Sequence, residues 1–245
     1  MFSKKSQNSE EVVVYYCDYL PNPAFSELES FEFKKAFGSM EIDKASNISK
    51  CPAFKGFYEN TYAFRSPKDI KVWVDENKSL NWLLEPLNHE SQLHDLCIMR
   101  SEKTFSINGL RSVFWCEEAL VAEQIGTFSC GTDLESKTQL YCGAFDISKW
   151  FRPMETAYLF LNNQSSVSIS RGDPLYFVKF NTNKKVVLKP FRMTPKLGLV
   201  IETCGRLKNV DTSFHNKLSN YYDALLRRGY KKEITKAIKE SLIEN

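Results

Sequence analysis

The sequence predicts an α+β fold: an antiparallel β-sandwich or jelly-roll-like body, short N-terminal helices and a C-terminal helical arm. Three observations carry that expectation. Between about residues 94 and 191, short β-branched and aromatic runs recur about every 8–12 residues with turn residues between them. No helical period separates those runs, which leaves no room for βαβ crossovers or a Rossmann-type sheet. After Lys208 the apolar residues fall at a spacing near 3.6, the period of a helix. The division this implies is a flexible N-terminus (1–11), an α+β domain with a β-rich core (12–208) and a C-terminal helical arm (209–245).

Residues 1–11 are polar and charged, an expected loose lead-in without the apolar run of a secretory signal. Val12-Val13-Val14-Tyr15-Tyr16-Cys17 has the composition of a buried strand, ended by Pro21 and Pro23. Ser26 followed by Glu29 forms a possible capping box, with Leu28, Phe31, Ala36 and Phe37 roughly on one helical face. A second short helix is expected over 50–60, with Ser49 as N-cap and Pro52 in the first turn, where its missing N–H costs nothing. Its stripe would be Ala53, Phe54, Phe57 and Tyr58. Thr61–Ser66 and Ile70–Asp75 then read as a hairpin turned by Ser66-Pro67-Lys68-Asp69.

The β-rich stretch supplies Thr104–Ile107, Ser112–Glu117, Ala119–Cys130, Leu140–Phe145, Ala157–Leu161, Ser166–Ser170, Leu175–Phe180 and Lys185–Phe191. Asn108-Gly109, Asn162-Asn163, Gly172-Asp173-Pro174 and Asn181–Asn183 supply turns. In the arm, Asp211 or Thr212 would cap a helix through Phe214, Leu218, Tyr221, Tyr222, Leu225 and Leu226. Gly229 would end that helix, and Ile234, Ile238 and Leu242 repeat at i, i+4, i+8 in a second.

Net charge is +3, yet the charges separate along the chain. Residues 1–170 carry 17 Lys+Arg against 23 Asp+Glu, and residues 171–245 carry 16 against 7. Such a split either attracts anionic partners or solvates the outer faces of terminal helices and a sheet edge. The seven cysteines lie at least 12 residues apart, without the C-x2-4-C spacing of structural zinc sites. Reduced thiols in a cytosolic setting follow. No run approaches the roughly 20 apolar residues needed to span a bilayer, so no membrane partner is expected.

Sequence motifs for chemistry are sparse. His89 and His94 stand five apart, and His215 is isolated. There is no HExxH, GxSxG, GxGxxG or P-loop pattern. Cys51 at a helix start would gain the positive end of a helix dipole, or simply fill the helix entry. Glu117 and Glu118, as neighbours on a strand, point to opposite faces and cannot act as an acid/base pair. Glu123 and Asp146 would serve only if the fold joined them. Arg171-Gly172-Asp173 reads either as an adhesive tripeptide or as a tight turn before a strand, the flanking strands favouring the turn. Aromatics among basic residues over 150–192 are either a base-stacking face or a sheet core with solvated cations. No catalytic residue, metal ligand or cofactor is assigned.

Three stretches carry a resemblance. They are Lys50-Cys51-Pro52-Ala53 leading to Asn60-Thr61-Tyr62 and Ser66-Pro67-Lys68-Asp69; Trp150-Phe151-Arg152-Pro153 leading into Ala157–Leu161; and Ser170-Arg171-Gly172-Asp173-Pro174-Leu175. Over roughly residues 12–192 the chain resembles a family of tailed-bacteriophage proteins from large myoviruses of marine and cyanobacterial hosts. The resemblance implies a viral origin and expression inside a bacterial cell, and brings no active-site residue. The function expected first is a non-enzymatic interaction protein acting through its surface, in the host cytoplasm or on the virion. Ile234, Ile238 and Leu242 would then need cover from the body, another subunit or a protein partner. The alternative is a nucleic-acid binder using Arg192, Lys196, Arg227, Arg228, Lys231 and Lys232, with affinity falling steeply with salt. A third reading is an enzyme whose site is assembled from distant residues.

Overall fold

The computed structural model describes residues 10–19, 33–36, 40, 50–85, 97–209 and 229–243. Among these the chain is mostly β, in four sheets with few helices. The first sheet holds β1 (Glu11–Tyr19) between β15 (Lys185–Pro190) and β8 (Arg111–Cys116). The largest places β14 (Pro174–Phe180) centrally, in the order β11 (Gly143–Asp146), β9 (Val121–Ile125), β14, β3 (Thr61–Arg65), β2 (Phe33–Lys35). A third runs β10 (Thr138–Leu140), β12 (Ala157–Phe160), β7 (Thr104–Ile107), β6 (Cys97–Ser101). The fourth is β13 (Ser166–Ile169), β4 (Asp69–Val74), β5 (Leu80–Glu85).

Pairing is antiparallel except between β1 and β15, which run parallel from Glu11↔Lys185 to Tyr16↔Pro190. The two are joined by the whole body instead of a crossover helix. The sequence reading, built on antiparallel strands, did not contain this pair.

Burial explains why these runs are strands. In β14, Leu175, Tyr176, Phe177, Val178 and Phe180 are all buried, as expected of a strand apolar on both faces. Residues from all four sheets meet in one core around Phe64, Phe105, Phe114, Tyr158 and Tyr176. β1 and β8 divide their side chains between this core and a second one. Val12, Val14, Phe114 and Cys116 point into the first; Tyr15, Cys17, Val113 and Trp115 point away from it. That alternation leaves a second apolar face, which needs a cover.

The cover is helical. α3 (Pro195–Asn209) contributes Leu197 and Ile201, and α4 (Tyr230–Glu240) contributes Ile234 and Ile238, both buried. A fully buried aliphatic side chain contributes about 2 kcal/mol. Leu242, just past α4, is half-buried and bridges Phe191. Of the covers expected for Ile234 and Ile238, from the body, another subunit or a partner, it is the chain's own sheet that packs on them, because β1 and β8 are apolar on both sides.

Other differences have local causes. Ser66–Asp69 does not turn a hairpin, since β3 and β4 lie in different sheets. It is clipped instead to the Ser170–Asp173 turn. The N–H of Ser66 donates to the Asp173 carbonyl and that of Gly172 to the Ser66 carbonyl, both at 2.8 Å, and the N–H of Arg171 donates to Asp69 Oδ1 at 2.7 Å. Gly172 has φ 89, so the Arg-Gly-Asp tripeptide is a tight turn. The run expected over 119–130 stops at Ile125. Beyond it Thr132 caps α2 (Asp133–Lys137), its Oγ1 accepting from the N–H of Glu135. The run over 140–145 breaks at Tyr141–Cys142 into β10 and β11.

The helix expected over 26–37 ends instead in β2, paired with β3; its earlier part lies outside the described residues. Likewise outside are Ser49 and the helix expected over 211–226. α1 (Pro52–Phe57) forms as expected, with Pro at its start, but buries none of its residues. Gly229, at φ 87, leads into α4.

Candidate interaction surface

α4 is held in place from below and at its edge. Beneath it, Trp115 is fully buried and its indole N–H donates to Thr235 Oγ1 at 3.0 Å. At the edge, β8 ends and Glu117 emerges to take the Tyr15 hydroxyl at 3.1 Å and the Lys239 ammonium at 2.7 Å. Its neighbour Glu118 diverges to Lys184 at 2.7 Å, so the two carboxylates are separated as expected, although they lie in the bend after β8 and not on the strand itself.

Between Glu117 and the outer side of α4 lies a groove of about 630 Å³, lined on the helix by Lys231, Lys232, Thr235, Lys236, Lys239 and Glu240. Four ammonium groups thus face two carboxylates. The compensation is uneven. Lys239 pairs with Glu117, and Lys236 lies 3.8 Å from Glu240. Among the described residues, Lys231 and Lys232 have no carboxylate within 4.0 Å. Both sit in the first turn of α4, which also carries Glu233, and the N–H of Lys232 donates to the Gly229 carbonyl at 3.0 Å.

The ionisable groups respond as this field demands. The hydrogen bond from Lys239 holds the Glu117 carboxyl below its ordinary range, against the opposing effect of burial and with help from Tyr15 and Lys231. The same bond raises Lys239. Burial, followed by Glu117, raises the Tyr15 hydroxyl.

The residues singled out from the sequence fall at different places. Lys231 and Lys232 line the groove. Arg192 is exposed, and its backbone N–H donates to the Ser241 carbonyl at 2.9 Å, next to the far end of α4. At about 1.5 Å per residue, that is about 15 Å from the first turn. Lys196 is exposed in the first turn of α3. Arg227 and Arg228 lie outside the described residues, as do His89, His94 and His215. Glu123 and Asp146 lie on the paired strands β9 and β11, opposite Ala144 and Val121 respectively, and each is engaged elsewhere: Glu123 accepts from Asn181 at 2.6 Å and Asp146 takes the Ser148 hydroxyl at 2.6 Å. Among the described residues, no group of three or more His, Cys, Asp or Glu side chains is placed to hold a metal ion, and no helix is long and apolar enough to cross a membrane.

Thr235 and Glu240 are groove residues that sequence reasoning missed, and Glu117 was weighed there only as a neighbour of Glu118. The helical spacing signals Thr235, which follows the buried Ile234 on α4. Glu117 belongs to the site only through the 2.7 Å contact with Lys239, which spans 122 positions of sequence. A smaller hollow, about 210 Å³, opens beside α2, β10 and β12. Its main polar groups are spent on the chain itself. Glu135 accepts the N–H groups of Ser129 and Cys130, Thr138 donates to the Leu134 carbonyl, and Tyr158 donates to that of Leu175.

The chain matches no protein-family model, no curated protein and no solved structure.

Proposed function

We propose that this chain is a non-enzymatic interaction protein that binds an acidic segment of a protein partner in the α4 groove. The observation that carries the reading is the pair Lys231 and Lys232: two cations beside a concave surface with, among the described residues, no carboxylate within 4.0 Å of either. An anionic partner recovers Coulomb energy there, and separation of charge along the chain points the same way. Four lysines and no aromatic ring line the groove, which favours carboxylates over bases, since single-stranded nucleic acid is held by stacking platforms. The phage resemblance adds the setting: a virion component, or a factor in the host cytoplasm. The sheets around the common core are read as a sandwich, and the jelly-roll path as its closest description.

The test is titration of a fluorescent glutamate-rich peptide into the protein, with double- and single-stranded DNA as parallel arms at two salt concentrations. Saturable peptide binding that Lys231→Glu with Lys232→Glu weakens by about tenfold or more supports the proposal. DNA binding that is tighter than peptide binding and falls with salt transfers the site to the nucleic-acid reading, with Arg192 and Lys196 as further contacts. Failure of both to bind removes the proposal.

A further inference from the structure

Resting on that reading, we infer that Thr235 positions the acidic partner: its hydroxyl donates to a partner carboxylate that the Lys231 ammonium neutralises. The direction of one hydrogen bond carries this. An indole N–H can only donate. Trp115, fully buried beneath α4, donates to Thr235 Oγ1 at 3.0 Å, so that oxygen is the acceptor and its own proton has to be given elsewhere. Among the described residues no acceptor takes it. The proton does not turn back to the carbonyl four residues earlier, as the Ser241 hydroxyl does to that of Ala237 at 2.9 Å. Thr235 is half-buried and lines the groove in one row of α4 with Lys231 and Lys239, four positions to either side. An ammonium group also only donates. A hydroxyl proton flanked by two such donors is satisfied by an acceptor from outside, and an anion serves the hydroxyl and the ammonium together.

The groove already holds one carboxylate in this manner. Glu117, two residues beyond Trp115, is bound by one ammonium and one hydroxyl, from Lys239 at 2.7 Å and Tyr15 at 3.1 Å. Lys231 and Thr235 offer the same two donor types one helical turn back, at a place no carboxylate of the described residues occupies. Lys231 also helps hold the Glu117 carboxyl below its ordinary range, so both places lie in one field. Trp115 fixes the Thr235 oxygen from behind and reports on it. A carboxylate that takes the Thr235 proton makes that oxygen a stronger acceptor for the indole, because hydrogen bonds in a chain reinforce one another.

The experiment follows the indole 1H–15N resonances of the full chain, with that of Trp115 assigned through Trp115→Phe. The titrants are the glutamate-rich peptide and its glutamine counterpart. The expected result is a saturable downfield shift of the Trp115 N–H with the glutamate peptide alone, the indoles of Trp73, Trp82 and Trp150 staying in place. Thr235→Val, which keeps the shape and loses the hydroxyl, should weaken the glutamate peptide about tenfold, as loss of a hydrogen bond to a charged group does. Lys231→Gln should weaken it several-fold, and Thr235→Ser should stay within about twofold of wild type. The wild-type resonance needs no substitution at Thr235, so it decides the case even where Thr235→Val loosens α4. A Trp115 resonance that stays still while the glutamate peptide binds, or that moves equally with the glutamine peptide, overturns the role of Thr235 and leaves the acidic-partner reading standing. If the glutamate peptide does not bind, that reading fails and takes this inference with it.

Discussion

Replacing Ile238 by Ala measures how firmly α4 is docked. Ile238 is completely buried in the cluster that joins α4 to β1 and β8. Ile238→Ala removes three buried carbon groups at about 0.8 kcal/mol each, or about 2.4 kcal/mol. A residual cavity of about 50 Å³, at about 24 cal/mol per Å³, adds about 1 kcal/mol. The expected loss is therefore about 3.5 kcal/mol. Urea unfolding followed by tryptophan fluorescence should show the midpoint falling by about 1 M with the slope unchanged, for a slope of about 3 kcal/mol per molar. Hydrogen exchange over Tyr230–Glu240 supplies the independent reading, since loss of docking accelerates those amides first. Ile243→Ala is the control: Ile243 is 38% exposed, and its loss should cost less than about 0.5 kcal/mol. A loss below about 1 kcal/mol for Ile238→Ala, with exchange in α4 unchanged, would refute the docking argument.

Three further outcomes follow from other parts of the molecule. Glu117 is held ionised by Lys239, so its contribution to stability is complete above the ordinary carboxyl value of 4.5 and fades as pH falls through the lowered folded value. The stability difference between wild type and Glu117→Gln should therefore shrink on acidification below about pH 4.5 and stay under about 1 kcal/mol, because the side chain is 45% exposed. A difference that grows on acidification would contradict the assignment. Gly172→Ala should cost about 1 kcal/mol from the left-handed φ of 89 alone, since an added Cβ there meets nothing within 4 Å; an unchanged melting temperature would sink it. Iodoacetamide at pH 8 should label exposed Cys142 in the folded protein and spare Cys17 and Cys97, whose thiols burial pushes upward. Peptide mass spectrometry reads the sites, and labelling of Cys17 at the rate of Cys142 would show the second core to be open.

Strand identity was legible wherever it was encoded locally. Ser166–Ile169, Pro174–Phe180 and Lys185–Pro190 were found because alternating or continuous apolar runs lie between turn residues. Two caps were also legible and were overlooked: Thr132-Asp133-Leu134-Glu135 opens α2, and Thr194-Pro195 opens α3. Strand partners were not legible. A period of two says which side chains share a face, and it is silent about which strand lies alongside, so β1–β15 and the separation of β3 from β4 needed the structure. The groove was half-visible for the same reason. Helical spacing alone places Lys232, Lys236 and Lys239 on the outside of α4, but Glu117 arrives from a distant strand end.

The parallel join of the first strand to the last also sets a timetable. Glu11 must wait for Lys185, and at a synthesis rate of about 5–20 residues per second that neighbour emerges about 9–35 s later. Until then β1 has only β8 to lean on, with one row of amides and carbonyls unclaimed. Completion of the first sheet is thus a late event that joins distant parts of the chain, and a nascent chain stalled before Lys185 would carry an adhesive margin.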